Sequence, residues 1–341
     1  MEPTSSTTAS HGANNGLVGD ALVGDGLVGD ARLHADASLR GRDGDDRVVH
    51  EAIVATGTRL RGFWEMTRPS VVALVFFTGV PMLGLLPGGW PSVSTSLTLL
   101  AGIAAIAGAA SVFNAWIERD LDAKMIRTRN RPLPRGILRP NEALAFGCVL
   151  SLVGLGLIGI AGDPLGVVVG ALTIAFYVLV YTIWLKPRTP LNIVIGGAAG
   201  AAPPLIVDAS QTGTIGLAAL CLFSLIFLWT PPHFWAISLF RKSEYQQAGF
   251  PMLPLTHGDE HTRWRILLYA LSLAPPSLVP VLTGHAGLGY GAVAFAANVW
   301  FVWKCVQLLR ERSNKAARTV MLASLVYLHL LCTALTVDLL L

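Results

Sequence analysis

Charge is scarce in this chain of 341 residues: Asp, Glu, Lys and Arg together make up 13%. Soluble domains carry about 25%, so a water-facing surface is excluded over most of the length. Cysteine is scarce too. Cys148, Cys221, Cys305 and Cys332 stand singly within apolar stretches, with no CxxC pair. That pattern excludes a disulfide framework and a Cys/His metal site, and it leaves four small apolar residues expected to be buried. No Ser-His-Asp or Cys-His constellation is legible, and no signal-peptide core opens the chain.

What fills the space is apolar: 53% of residues are hydrophobic and the mean hydropathy is +0.57. A bilayer-spanning helix needs roughly 20 such residues. Nine runs near that length are counted, centred near Phe77, Ile106, Leu152, Ala175, Ala199, Phe227, Leu273, Ala294 and Leu328. The fold class expected is therefore an all-α polytopic membrane protein of about nine spans, with the lipid bilayer as its main surroundings. The run around Ala199 is rich in Gly, Ala and Pro, which suits close helix packing, and neighbouring helices can satisfy backbone freed by Pro203 and Pro204.

Basic residues divide the loops into two sets. They occur before the first run (Arg59, Arg61, Arg68), around 119–139, at Lys186 and Arg188, at Arg241, Lys242, Arg263 and Arg265, and at Arg310, Arg312, Lys315 and Arg318. The alternate loops, around Gly88, Asp163, Asp208 and His285, carry no Lys or Arg. The positive-inside rule then predicts a cytoplasmic N-terminus and an external C-terminus, and the plasma membrane is the expected location of this multi-pass chain. The net charge of +4 reflects this topology rather than nucleic-acid binding. Residues 1–55, with Leu-Val-Gly-Asp three times over Gly16–Asp30, read as a disordered cytoplasmic tail. Residues 56–341 read as a single membrane domain.

One stretch concentrates charge. Residues 114–135 place three acids and six bases at the end of an apolar helix expected from about Ser96 to Trp116. Each i,i+4 step turns a helix by about 40°, so Asn114, Glu118 and Asp122 share roughly one face. Asp120 falls on the opposite side, in a solvent or arginine-paired role. Oxygen ligands suit hard divalent cations, and Mg²⁺ is usually held by one or two carboxylates plus substrate phosphates. Lys124, Arg127, Arg129, Arg131 and Arg135 are placed to bind the anionic end of such a substrate. This points to an intramembrane enzyme acting on a phosphate ester. The competing reading is that these acids only neutralise the arginines of a positive-inside loop.

Asn114-x-x-x-Glu118-x-x-x-Asp122, followed by Arg127-Thr128-x-x-Arg131-Pro132-Leu133-Pro134, resembles the first acidic motif of the UbiA-type intramembrane prenyltransferases. Their usual form is NxxxDxxxD, so Glu118 stands where Asp is commoner. Three further stretches resemble the heme-farnesylating branch of that family: 181–197 from Tyr181 through Lys186-Pro-Arg188 to Gly197, Trp229-Thr-Pro-Pro-His233-Phe-Trp235, and Glu244-Tyr245 through Pro251-Met252-Leu253-Pro254.

The resemblance implies a UbiA-like fold with Mg²⁺ as cofactor and with farnesyl diphosphate and heme b as substrates. The farnesyl group joins a heme vinyl group with addition of water, giving heme o for heme-copper oxidases. Contact with cytochrome oxidase assembly factors is part of the same expectation. By motif position Asn114, Glu118, Asp122 and Glu244 would hold metal, and Lys186 would join them in catalysis. Arg127, Arg131, Tyr181, Arg188 and His233 would contact substrate. His233 lies about seven residues before its helix emerges near Phe240, roughly 10 Å deep. An ionisable residue at that depth is a functional candidate, suited to the porphyrin iron or the vinyl end. The alternative is a neutral histidine bonded to a neighbouring helix. Two other functions stay open: a prenyltransferase acting on a quinone or other aromatic precursor, and a transporter or heme carrier.

Overall fold

Proline and small capping residues decide where the apolar runs begin as helices. Pro69, Pro140, Pro164 and Pro203 stand in the first turns of their helices, where a missing N–H leaves no bond unmade. Ser92, Asp163 and Ser313 accept the backbone N–H of Thr95, Leu165 and Ala316 at 3.1, 2.8 and 3.1 Å, each satisfying one orphan donor of a first turn.

The structure, a computed structural model, describes residues 56–126 and 128–341. The expected tail over 1–55 and the candidate Arg127 lie outside the described residues. Helices α1 (Thr56–Met66) and α2 (Pro69–Gly84) form a pair bent by 46°. Then come α3 (Val93–Ile117), a short α4 (Arg119–Asp122) and α5 (Pro140–Ala161). Helix α6 (Pro164–Ala175) widens without a break into a π-helix, Phe176–Leu185. Helices α7 (Asn192–Gly200) and α8 (Pro203–Thr212) make one interrupted span. After α9 (Leu217–Phe240) the short α10 (Lys242–Gln247) and α11 (Leu253–Thr256) form a loop segment. Helices α12 (Asp259–Leu271) and α13 (Ala274–Leu282) make a second interrupted span, followed by α14 (Leu288–Glu311) and α15 (Asn314–Asp338).

Among the described residues, eight helical spans are long and apolar enough to cross a membrane, or nine when the bent pair is counted as one. No strand occurs among the described residues. Leu152, Ile160 and Leu172, on α5 and α6, are 72%, 79% and 63% exposed. Large apolar side chains exposed on this scale suit a face turned to lipid. Cys148 is exposed on α5, which corrects the expectation that all four cysteines are buried; Cys221, Cys305 and Cys332 are buried.

Close backbone approach sets the α3–α5 contact. A Cβ on Gly102 would lie 2.9 Å from the Gly154 carbonyl oxygen, and one on Gly154 would lie 2.9 Å from that of Gly102. Small residues at such a crossing are the usual means of helix association in membranes. On the other side, Asn298 of α14 donates to Ser277 Oγ of α13 at 2.8 Å and accepts from Tyr327 of α15 at 3.1 Å. The packing of α14 against α13 and α15 is thus fixed by polar contacts as well as apolar ones.

Candidate active site

Helix α3 ends at Ile117, with Glu118 as its cap, yet the hydrogen-bond ladder continues. Glu118 N–H donates to Asn114 O at 3.0 Å and Asp122 N–H to Glu118 O at 2.7 Å. The register of the span therefore carries through into α4, and Asn114, Glu118 and Asp122 are only 0%, 5% and 1% exposed. Asp120 points the other way, with its side chain 84% exposed and Arg119 3.9 Å distant.

Each of the three buried groups meets a cation from another part of the chain or from the following loop. Arg68 Nη2 donates to Asn114 Oδ1 at 2.6 Å, while Asn114 Nδ2 reaches Thr182 Oγ1 at 3.3 Å. Lys186 Nζ lies 2.5 and 2.7 Å from the two oxygens of Glu118. Arg131 Nη1 is 2.6 Å from Asp122 Oδ2. Asp122 Oδ1 is buried with no hydrogen-bond partner among the described residues. Burial pushes the Lys186 ammonium below its ordinary pKa, and the Glu118 carboxylate pushes back.

Arg68 is held in an unusual backbone state, with φ 54° and ψ 69°, just ahead of Pro69. A left-handed non-glycine residue costs about 1–3 kcal/mol unless its surroundings over-determine it. The bond to Asn114 and the bend between α1 and α2 are the surroundings that do so here.

The π-helix serves the same site. Its wider turn is closed by bonds such as Lys186 N–H to Tyr181 O at 2.9 Å, and π-helical turns concentrate at functional positions. Tyr177, Tyr181 and Lys186 all line one cavity, and Thr182 Oγ1 donates to Tyr177 O at 2.9 Å. Tyr181 is pressed against α7, where a Cβ on Gly196 would enter its ring. Lys186 Nζ also lies 5.0 Å from the centre of the Phe250 ring, near enough for a cation–π contact.

The cavity measures about 460 Å³, within the range of small-molecule sites. Among the described residues its charged lining is Glu118, Asp122, Arg68, Arg131, Lys186 and Arg241. Its deeper walls include Ile226, Trp229, Thr230 and Leu328. A smaller apolar cavity of about 80 Å³ shares Val71, Val75, Tyr177 and Gly200 with the first and extends toward Ile106 and Ile206.

Two candidates from the sequence stand elsewhere. Arg188 is exposed and donates to the carbonyls of Ile183 and Trp184 at 2.9 and 3.1 Å. It caps the end of the π-helix instead of lining the cavity. Glu244 is not in the cavity wall either; it sits 3.5 Å from Arg241, which is. Among the described residues no group of three or more His, Cys, Asp or Glu side chains is placed to hold a metal, so Glu244 does not join Glu118 and Asp122. Asn114 has its oxygen engaged by Arg68. What remains is two carboxylates, one with an unpartnered oxygen. That donor set fits a hard divalent cation whose other ligands come from substrate phosphates and water.

Arg68, Arg241, Tyr177 and Tyr245 also line the cavity, and sequence reasoning gave none of them a place in the site. The two arginines read only as orientation charges, because nothing local distinguishes an arginine aimed inward from one facing water. His233, 9% exposed, lines the cavity from α9. Its ring stacks on Trp229 with centroids 4.8 Å apart, and Nδ1 lies 2.7 Å from Ser324 Oγ on α15.

The sequence matches the model of the UbiA prenyltransferase family over residues 73–330. A protoheme IX farnesyltransferase of Gluconacetobacter diazotrophicus is 42% identical over 291 residues, covering 83% of this chain and 92% of that protein. One from Acidiphilium cryptum is 44% identical over 287 residues, covering 81% and 90%. Among solved structures, a digeranylgeranylglyceryl phosphate synthase superposes with a TM-score of 0.69 at 17% identity, over 82% of this chain and 98% of that one. A UbiA homologue from Archaeoglobus fulgidus, bound to DMAPP and Mg²⁺, superposes with a TM-score of 0.59 at 15% identity, over 81% and 99%. Those structural likenesses speak to fold alone, whereas the family match and the sequence identities extend over most of the chain. The chain belongs to the UbiA prenyltransferase family.

Proposed function

We propose that this protein transfers the farnesyl group of farnesyl diphosphate to a vinyl group of heme b, with addition of water, to give heme o. What carries the reading is an array of two carboxylates and four cations in the wall of a cavity whose remaining lining is mostly apolar and aromatic, in a chain 42–44% identical to protoheme IX farnesyltransferases.

The chemistry divides between the two parts of the cavity. Breaking the C–O bond of an allylic diphosphate leaves negative charge on the departing diphosphate and positive charge on the allyl carbon. Arg68, Arg131, Lys186 and Arg241 are the cations that take up the first. Glu118 and Asp122 would hold Mg²⁺ beside the diphosphate, and Mg²⁺ bound there would supply further neutralisation of the leaving group. Lys186 and Arg131 also act before substrate arrives. With no metal diphosphate present they neutralise the carboxylates, which would otherwise repel an anionic substrate. The apolar walls exclude bulk water from the allyl cation, and the side cavity toward Ile106 and Ile206 suits an isoprenoid chain. The vinyl carbon forms the new C–C bond as the C–O bond breaks. Water adds to the resulting porphyrin-side cation and releases its proton to solvent.

The same reading assigns the chain to the plasma membrane, with the charged mouth and N-terminus on the cytoplasmic side. Residues 1–55 would be a tail and 56–341 the catalytic domain. Purified protein given both substrates and Mg²⁺ should convert heme b to a heme heavier by one farnesyl group and one hydroxyl group, and a chelator should stop the conversion. A quinone precursor modified in place of heme would overturn the acceptor while preserving the site. Absence of diphosphate release with every acceptor would overturn the enzyme reading.

A further inference from the structure

The hydrogen bonds around Ser324 fix more about His233 than its position. Ser324 Oγ lies 2.6 Å from the Met321 carbonyl oxygen and 2.7 Å from His233 Nδ1. Two oxygens approach that closely only with a proton between them, and a carbonyl has none to give. The hydroxyl therefore spends its single proton on Met321, and the bond to His233 has to be supplied by an Nδ1–H. A neutral imidazole carries one N–H, so its other nitrogen, Nε2, holds an unprotonated lone pair.

No donor among the described residues consumes that lone pair. Ser324 is engaged at Nδ1, and the Met321 carbonyl that also interacts with the ring is an acceptor, which can use an N–H but not a lone pair. The ring itself is rigidly held. It stacks on Trp229, whose Nε1–H donates to Ser324 O at 2.6 Å, and it meets Phe234 edge-on at 5.3 Å. Ser324 thus grips two rings of α9 at once, by its carbonyl and by its hydroxyl. A histidine with one nitrogen tied to an outer acceptor and the other a free base is the arrangement typical of metal ligation. Glu118 and Asp122 are hard oxygen donors from the end of α3 and from α4, whereas this nitrogen comes from α9, seven residues or about 10 Å of helix rise before that helix ends at Phe240. Imidazole is a good iron ligand.

We propose that His233 Nε2 is the axial ligand to the iron of the porphyrin substrate, and that Ser324 is the positioning residue that holds the required tautomer. The proposal rests on the reading that an iron porphyrin enters this cavity. Iron ligation would anchor the acceptor by its metal, leaving its edge free to turn a vinyl group toward the allylic carbon.

Purified full-length protein, wild type and His233→Ala, would be titrated with heme b and with metal-free protoporphyrin IX. The ferrous heme complex would then be examined for an iron–histidine stretching band by resonance Raman. Wild type should bind heme b more tightly than protoporphyrin IX and show the band. His233→Ala should lose the band, and its heme affinity should fall to that for protoporphyrin IX, whose own binding is unchanged and reports an intact cavity. Ser324→Ala should keep the band, shifted to lower frequency, and weaken heme binding roughly 10–100-fold, the usual cost of losing an outer-shell partner. Equal wild-type affinity for the two porphyrins, or a band that survives His233→Ala, overturns the assignment. So does a Ser324→Ala protein whose band and affinity are those of wild type, which leaves that serine no positioning role. A farnesyl-transfer assay separates this from the proposed reaction. Heme o formed with a His233-independent spectrum removes the iron ligand alone; a His233-dependent spectrum without any transfer removes the reaction and keeps the iron site.

Discussion

Glu118 and Lys186 are a pair in which catalytic and structural roles can be told apart. Both are largely buried, at 7% and 15% side-chain exposure, so removing one partner leaves the other charge uncompensated, at about 3–5 kcal/mol. Lys186→Met is expected to lose both thermal stability and turnover. The double variant Glu118→Gln/Lys186→Met removes both charges, so it should recover most of the stability but none of the turnover. Thermal unfolding in detergent beside a diphosphate-release assay decides this, and turnover recovered with stability would make the pair purely structural. A second comparison uses the register of α3 and α4. Asp122→Asn should lower turnover on the order of 10²–10³-fold, the scale of a lost group that stabilises transition-state charge. Asp120→Asn should turn over near the wild-type rate, since that side chain is 84% exposed. Equal losses would sink the separation of the two aspartates.

At the scale of elements, the site depends on how closely α3 approaches α5. Gly154→Ala places a Cβ 2.6 Å from Ile106 Cγ2 and 2.9 Å from the Gly102 carbonyl oxygen. Overpacking of that kind costs about 1–3 kcal/mol. It should also displace the end of α3 that carries Asn114 and Glu118, lowering turnover without touching a charged group. Gly156→Ala, whose Cβ meets nothing within 4 Å, is the control and should be neutral in both respects. A Gly154→Ala protein as stable and active as wild type would show that the crossing is slack. The π-helix is a second element with a local purpose. An ordinary α-helix over Phe176–Leu185 would turn Tyr177, Tyr181 and Lys186 through a different set of directions, and their shared cavity would be lost.

At the scale of the whole molecule, the charged ends of α3, the π-helix and α9, with the bend before α2, supply the same mouth. That convergence gives a topology test. Between the α5–α6 turn at Asp163 and the α14–α15 turn at Arg312 lie the spans Pro164–Leu185, Asn192–Thr212, Leu217–Phe240, Asp259–Leu282 and Leu288–Glu311, an odd number. Reporter fusions at Asp163 and Arg312 should therefore fall on opposite sides of the membrane, with Arg312 cytoplasmic by the distribution of Lys and Arg. Both reporters on one side would overturn the span count and separate the loops that meet at the cavity.

What the linear sequence determined follows from properties that act locally. Apolar length sets the spans, loop charge sets the expected orientation, and the 3.6-residue period already aligned Asn114, Glu118 and Asp122 away from Asp120. Motif order carried the family. Tertiary structure alone decided which cations meet those three side chains. Arg68 is 46 residues from Asn114 and Lys186 is 68 residues from Glu118, and no short-range rule sets one basic loop residue apart from another. The same limit explains Arg188, which resembles Lys186 in sequence yet caps carbonyls beside it, because a two-residue step around a helix end points a side chain to a different side. The protonated nitrogen of His233 is the furthest from being legible. It depends on a hydroxyl 91 residues away and on where that hydroxyl sends its single proton, which only the packing of α9 against α15 settles.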